Sequence, residues 1–261
     1  MKITLFTSNS FRHNYLINLL SSISDELFVI QEVSTIFPGK VPGRYPATQK
    51  MTEYFNQVTE AQRKIFGFTY INPEKNNIKV LTISPSDLNI CPLNKIKDFL
   101  KSDLYIVFGS SYIKGDLIEF LISKRAINIH MGISPYYRGT DCNFWAMYDK
   151  NYHVVGATIH LISKGIDNGK ILYHALSKRH ENPFIYSMNT VISAFNSLKS
   201  KISDNSIFSL QEVEQDISKE IRYSKNKDFD DKAICNFLKQ KKLPDFKFDN
   251  SMLINPYFHE I

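Results

Sequence analysis

Asn128 and His130 alternate with Ile127 and Ile129 in the stretch AINIHMGISPYYRG, residues 126–139. Side chains two apart in a strand share a face, so the amide and the imidazole project together while the isoleucines face the other way. Further along lies Gly165-Ile166-Asp167-Asn168-Gly169, a turn that sets a carboxylate between glycines. An amide, an imidazole and a carboxylate are what transfer of a one-carbon acyl group to an amine needs. Asn128 can donate to the developing oxyanion, His130 can take the proton of the attacking amine, and Asp167 can orient and charge the imidazole. Singly, each has a plainer explanation: a loop cap, a satisfied core histidine, a turn former. Two polar side chains on one face of an apolar strand favour a site, and the chemistry admits a hydrolase as well as a transferase.

The segments that must position these groups alternate in type. Residues 2–7, 27–33, 78–83, 103–108, 126–130 and 154–161 read as strands, and 14–20, 51–66, 113–124 and 143–148 as helices. Residues 36–46, punctuated by Pro38, Gly39, Pro42, Gly43 and Pro46, read as a loop. Such alternation predicts an α/β fold with a mainly parallel sheet, whose ligands bind beyond the carboxyl ends of the strands, here at 109–112 and 130–139. After residue 185 the pattern changes to a helix over 186–202, a short strand over 207–210 and a helix over 230–239. The chain therefore divides into a catalytic domain, 1–185, and a small C-terminal region, 186–261. The tail aromatics Phe246, Phe248, Tyr257 and Phe258 can pack on the domain or on a second copy, which makes a homodimer an expectation.

The chain has 261 residues, 43% of them hydrophobic, and a formal net charge of +6. That is enough to bury a full core. The lysines are scattered instead of forming one basic stripe, so nucleic acid is not required as a partner. No apolar run reaches the length of about 18 residues that a membrane span needs, and the start MKITLFTSNSFRH reads as strand and turn, so a cytoplasmic protein with no membrane partner is expected. Cys91, Cys142 and Cys235 are odd in number and widely spaced, which suits neither a disulfide framework nor a zinc set; no metal is expected.

Asn128-x-His130, then Pro135-x-Tyr137-Arg138-Gly139, then Asp167-x-Gly169 resembles the signature of the formyltransferases that use N10-formyltetrahydrofolate, whose members act on methionyl-tRNA, glycinamide ribonucleotide or amino-sugar nucleotides. The resemblance spans roughly residues 100–175. It implies a Rossmann-like catalytic domain with Asn128, His130 and Asp167 as the catalytic trio. It also implies a folate pocket lined by Phe108, Gly109, Tyr112 and Ile113 and by residues 162–166, Ile162, Gly165 and Ile166 among them. Two positions depart from the pattern: Gly132 stands where a serine is usual, and 110–113 lacks a frequent proline.

Among acceptors, the region after 185 is short for the barrel domain of the tRNA enzymes, and Ser8-Asn9-Ser10-Phe11-Arg12-His13 lacks the glycines of the ribonucleotide enzymes' phosphate loop. The helix ending in KIFG is more like the insert of formyltransferases from polysaccharide clusters. The expected acceptor is an amino-sugar nucleotide, a 4-amino-4,6-dideoxy sugar on dTDP or UDP, made for a surface polysaccharide such as lipopolysaccharide O-antigen. Arg12, Arg138 and Lys164 would then meet the pyrophosphate, with Tyr136 and Tyr137 stacking on base or sugar. A formyltetrahydrofolate hydrolase and a non-enzymatic nucleotide- or folate-binding module are the rival readings.

Overall fold

A computed structural model describes residues 1–33 and 48–259 of the chain; the loop expected over 36–46 lies outside them. Five parallel strands, Lys2–Thr7 (β1), Glu26–Glu32 (β2), Ile78–Ile83 (β3), Leu104–Phe108 (β4) and Ile127–His130 (β5), lie in the order β3-β2-β1-β4-β5. Ala157–Leu161 (β7) adds antiparallel to β5, Ile171–Ser177 (β8) adds antiparallel to β7, and Tyr257–His259 (β10) closes that edge parallel to β8. A separate two-stranded parallel ribbon joins Tyr137–Gly139 (β6) to Arg222–Ser224 (β9).

Both faces of the parallel strands are covered, as their near-continuous apolar runs require. Ile3, Leu5, Ile106 and Phe108 face one core, shared with helices Phe11–Ser21 (α1), Gln49–Phe66 (α2) and Pro183–Ser203 (α5). Phe6, Tyr105 and Val107 face the other, with Leu117 and Leu121 of helix Gly115–Ser123 (α3). Two shorter helices, Cys142–Tyr148 (α4) and Asp231–Leu238 (α6), pack into the first core through Phe144, Trp145, Ala233 and Phe237. α5 starts where Asn182 accepts from the backbone N–H groups of Phe184 and Ile185 and Pro183 takes the first turn.

Three local expectations change. Residues 207–210 are not a strand, because Ser206–Phe208 is a 3-10 turn directly after α5. The strand expected over 154–161 begins at Ala157, because Tyr152–Val154 turns as a 3-10 helix and the Gly156 N–H donates to Asn143. β8 was not anticipated; all seven of its residues are buried, so it shows no alternation to read. Residues 186–259 are built into the same sheet and core through α5 and β10. The tail aromatics pack within the chain: Phe246 meets Tyr152 and Tyr186, and Phe248 meets Phe246 and Phe258. Among the described residues no helix is long and apolar enough to cross a membrane.

Candidate active site

β5 holds Asn128 in register between Val107 of β4 and His160 of β7, and His130 against Thr158 of β7. Asp167 comes from the β7–β8 connection, in the left-handed region with φ 49°, which aspartate tolerates better than most residues. The three side chains meet. His130 Nδ1 lies 3.3 Å from Asp167 Oδ1, and Asn128 Nδ2 lies 3.4 Å from the same oxygen. The Gly139 N–H donates to Asp167 Oδ2 at 3.3 Å.

A fourth side chain, His160, belongs to the group. Its Nδ1 is 2.8 Å from the Leu161 carbonyl and must carry the hydrogen, so its Nε2 accepts from Asn128 Nδ2 at 3.0 Å. That contact fixes which end of the Asn128 amide faces Asp167. The signal was present in the sequence, since Thr158 and His160 share one face of an otherwise apolar strand.

The electrostatics at His130 are set by its buried neighbours. Burial by itself would lower its pKa, but the Asp167 carboxylate raises it well above the ordinary histidine value. Its Nε2 faces another acceptor, the Tyr137 carbonyl at 3.2 Å. With an oxygen opposite each nitrogen, the surroundings of His130 favour the imidazolium over the neutral ring. Burial would likewise raise the Asp167 carboxyl, yet His130 holds it well below the usual carboxylate range. Cys142 is pushed up by burial against the opposing pull of His130 and stays a thiol.

The departure at Gly132 has a physical reason here. A Cβ on it would sit 2.5 Å from Cys142 Cβ and 2.6 Å from His130 Nε2, so the buried cysteine occupies the space a serine would need. Gly139 is fixed by its own φ of +91° and by Ser224, whose carbonyl oxygen would lie 2.1 Å from an added Cβ.

Two cavities converge on this group. One, of about 380 Å³, is walled by Arg12, Tyr54, Phe55, Val58, Phe144 and Met188, and the other, of about 400 Å³, by Val107, Ile113, Ile118, Ile162, Ile166 and Tyr223. Asn128, Asp167, Gly109 and Gly139 line both. Of the residues expected around folate, Gly109, Tyr112, Ile113, Ile162, Gly165 and Ile166 line the second cavity, whereas Phe108 lines the first.

The substrate-side expectations fare differently. Arg12 does line the first cavity. Tyr136 and Tyr137 do not line either cavity: they are 8% and 1% exposed, and the Tyr137 hydroxyl donates to Asp149 while accepting from Asn151. Arg138 is paired with Glu220 at 2.8 Å and donates to the Ile166 carbonyl at 2.8 Å, so its charge is spent inside the fold. Lys164 is exposed, pairs with Glu119 at 2.7 Å and lines neither cavity. Tyr54 and Phe55 on α2 wall the first cavity, and nothing in the sequence sets them apart from the core-packing period of that helix.

Residues 93–180 match the family described as formyl transferase. A methionyl-tRNA formyltransferase from Desulforamulus reducens is 28% identical over 97 residues, which is 37% of this chain and 30% of that protein. The chain thus matches less than a third of the length of that curated relative. Among solved structures, a sugar N-formyltransferase from a Shewanella species has a TM-score of 0.55 at 18% identity, covering 88% of this chain and 78% of the other. A phosphoribosylglycinamide formyltransferase from Anaplasma phagocytophilum has a TM-score of 0.52 at 13% identity, covering 81% and 89%. The α/β fold with its mostly parallel sheet is therefore that of formyltransferases.

Proposed function

We propose that this chain, whose residues 93–180 belong to the formyl transferase family, moves a formyl group from N10-formyltetrahydrofolate to the amine of an amino-sugar nucleotide, a dTDP- or UDP-linked 4-amino-4,6-dideoxy sugar destined for a surface polysaccharide. The observation that carries this reading is the meeting of two separate cavities at Asn128 and Asp167, beside His130. A transferase needs two substrates brought to one point; a hydrolase needs a single cavity and water.

The second cavity fits the folate. Val107, Ile113 and Ile162 offer apolar faces to a flat ring system, and the backbone of 109–112, Ser163, Gly165 and Ile166 offers polar groups to its edge. When bound there, the folate supplies the formyl carbon. The first cavity takes the acceptor: Tyr54 and Phe55 give apolar faces to a sugar ring and Arg12 gives a cation to a phosphate. Residues 186–259, being built into the main sheet and core, support a small acceptor over a tRNA.

As the amine attacks, negative charge grows on the oxygen of the transferred carbon. Asn128 Nδ2 and the His130 imidazolium stabilise it, the long 3.4 Å contact of Asn128 with Asp167 being the one that yields. His130 then gives its proton to the departing nitrogen and, once neutral, accepts one from the former amine, with Asp167 favouring its return to the charged form.

Supplying N10-formyltetrahydrofolate together with amino-sugar nucleotides, methionyl-tRNA or glycinamide ribonucleotide tests the proposal. The expected result is tetrahydrofolate formation that depends on an amino-sugar nucleotide. Formate release without an acceptor, or transfer only to one of the other two amines, would contradict it.

A further inference from the structure

We propose that Gln215, assisted by the Arg138–Glu220 pair, is a positioning device for Asp167: a strap formed by residues 212–220 holds the catalytic turn in place. The turn has little backbone support of its own, since Asp167 has a positive φ and lies between strands. Its carbonyls are instead caught by side chains from outside. Gln215 Nε2 donates to the Asp167 carbonyl at 2.8 Å and to the Gly169 carbonyl at 2.7 Å, using both of its hydrogens. The orientation is unambiguous, because a flipped amide would set Oε1 against two carbonyl oxygens. Oε1 is left buried without a hydrogen-bond partner, a cost this orientation carries. From the other side, Arg138 donates to the Ile166 carbonyl while Glu220 holds its guanidinium.

The strap is itself anchored. Val213 exchanges two backbone hydrogen bonds with Ile171, at 2.8 and 2.9 Å, where β8 begins. Lys170 pairs with Glu212 and Glu214, and Glu212 also pairs with Arg125. Gln215 is thereby delivered two residues beyond a fixed point, and the segment after it continues into β9, which pairs with β6 next to His130's carbonyl partner Tyr137. Loss of the Gln215 amide would let the turn relax and lengthen the 3.3 Å contact between Asp167 and His130. The other groups facing that pair stay as they are: the Cys142 thiol and Tyr137 carbonyl at His130, and Asn128, His160 and the Gly139 N–H at Asp167.

The rate consequence rests on the formyl-transfer reading; the effect on His130 does not. The test uses Gln215→Met and Gln215→Leu, which add no charge, keep most of the side chain's bulk and remove its amide donors. In an NMR titration the His130 midpoint is expected to fall in both variants relative to the unaltered protein. With formyl donor and acceptor supplied, kcat falls at least about tenfold, as displacement of a catalytic group predicts, KM for each substrate stays within about threefold, and the alkaline limb of the kcat profile moves to lower pH. A purely structural role would lower the melting temperature and leave the midpoint unchanged, which overturns the proposal. Should the Gln215 variants not fold, Glu220→Gln releases Arg138 at the other end, and an unchanged midpoint there overturns it equally. If no acceptor is formylated by the unaltered protein, the midpoint alone decides and only the function reading falls.

Discussion

Strand β5 and the turn at Asp167 supply the same site by opposite means. Asn128 is held by a backbone ladder with neighbours on both sides and His130 by its pairing with β7, so their direction follows from the pleat. Asp167 has no ladder. It depends on Gln215 and Arg138, residues distant in sequence, and on a conformation with φ 49°. The lesson is that a side chain on a strand is placed by local pattern, whereas one on a turn is placed by whatever reaches across to it.

Replacing the reacting groups should erase that difference. His130→Ala and Asp167→Ala are each expected to lower turnover by at least about a hundredfold with the fold intact, since each removes one half of the charged pair. Steady-state rates with circular dichroism on the same samples check this, and near-unaltered turnover in either variant would refute the assignment.

The pH profile sharpens the comparison at a smaller scale. His130 has its pKa raised, so the imidazolium persists through neutral pH and is lost as pH climbs through the raised value. Its contribution to stability has the same sign: full below about 6.5, the unfolded histidine value, and lost on the alkaline side. Asp167 has its pKa lowered, so its contribution is full above about 3.9 and is lost only as pH falls far into acid. Activity should therefore show an alkaline limb set by His130 and no acid limb from Asp167 in the ordinary carboxylate range. Asp167→Asn should move the alkaline limb to lower pH; an unmoved limb would separate it from this pair.

The smallest effect concerns the tyrosines. Tyr137→Phe should cost about 1 kcal/mol of stability through the lost Asp149 and Asn151 hydrogen bonds, and leave acceptor KM unchanged. Denaturant unfolding beside acceptor kinetics measures both, and a raised KM without a loss of stability would return Tyr137 to the substrate.

Asn128 and His130 were legible because a period of two in an apolar strand is a local signal, and Asp167 because glycines mark a turn. Six of the seven positions that the resemblance implies for the folate line one cavity. The acceptor side was not legible. Tyr136, Tyr137 and Arg138 sit in a loop rich in glycine and proline, where aromatic and basic residues look like ligand contacts, yet both tyrosines are buried and Arg138 is paired with Glu220 beside the β6–β9 ribbon. Nothing near them in sequence announces that partner. Gln215 was invisible for the same reason: a lone polar residue in an irregular segment carries no pattern.

The account turns on His130 being held as an imidazolium by Asp167. A titration of the His130 ring resonances by NMR in the unaltered protein measures this directly. The midpoint is predicted to lie well above the ordinary histidine value of about 6.5 and to fall when Asp167 is replaced by asparagine. A midpoint at or below that value with Asp167 intact would contradict it.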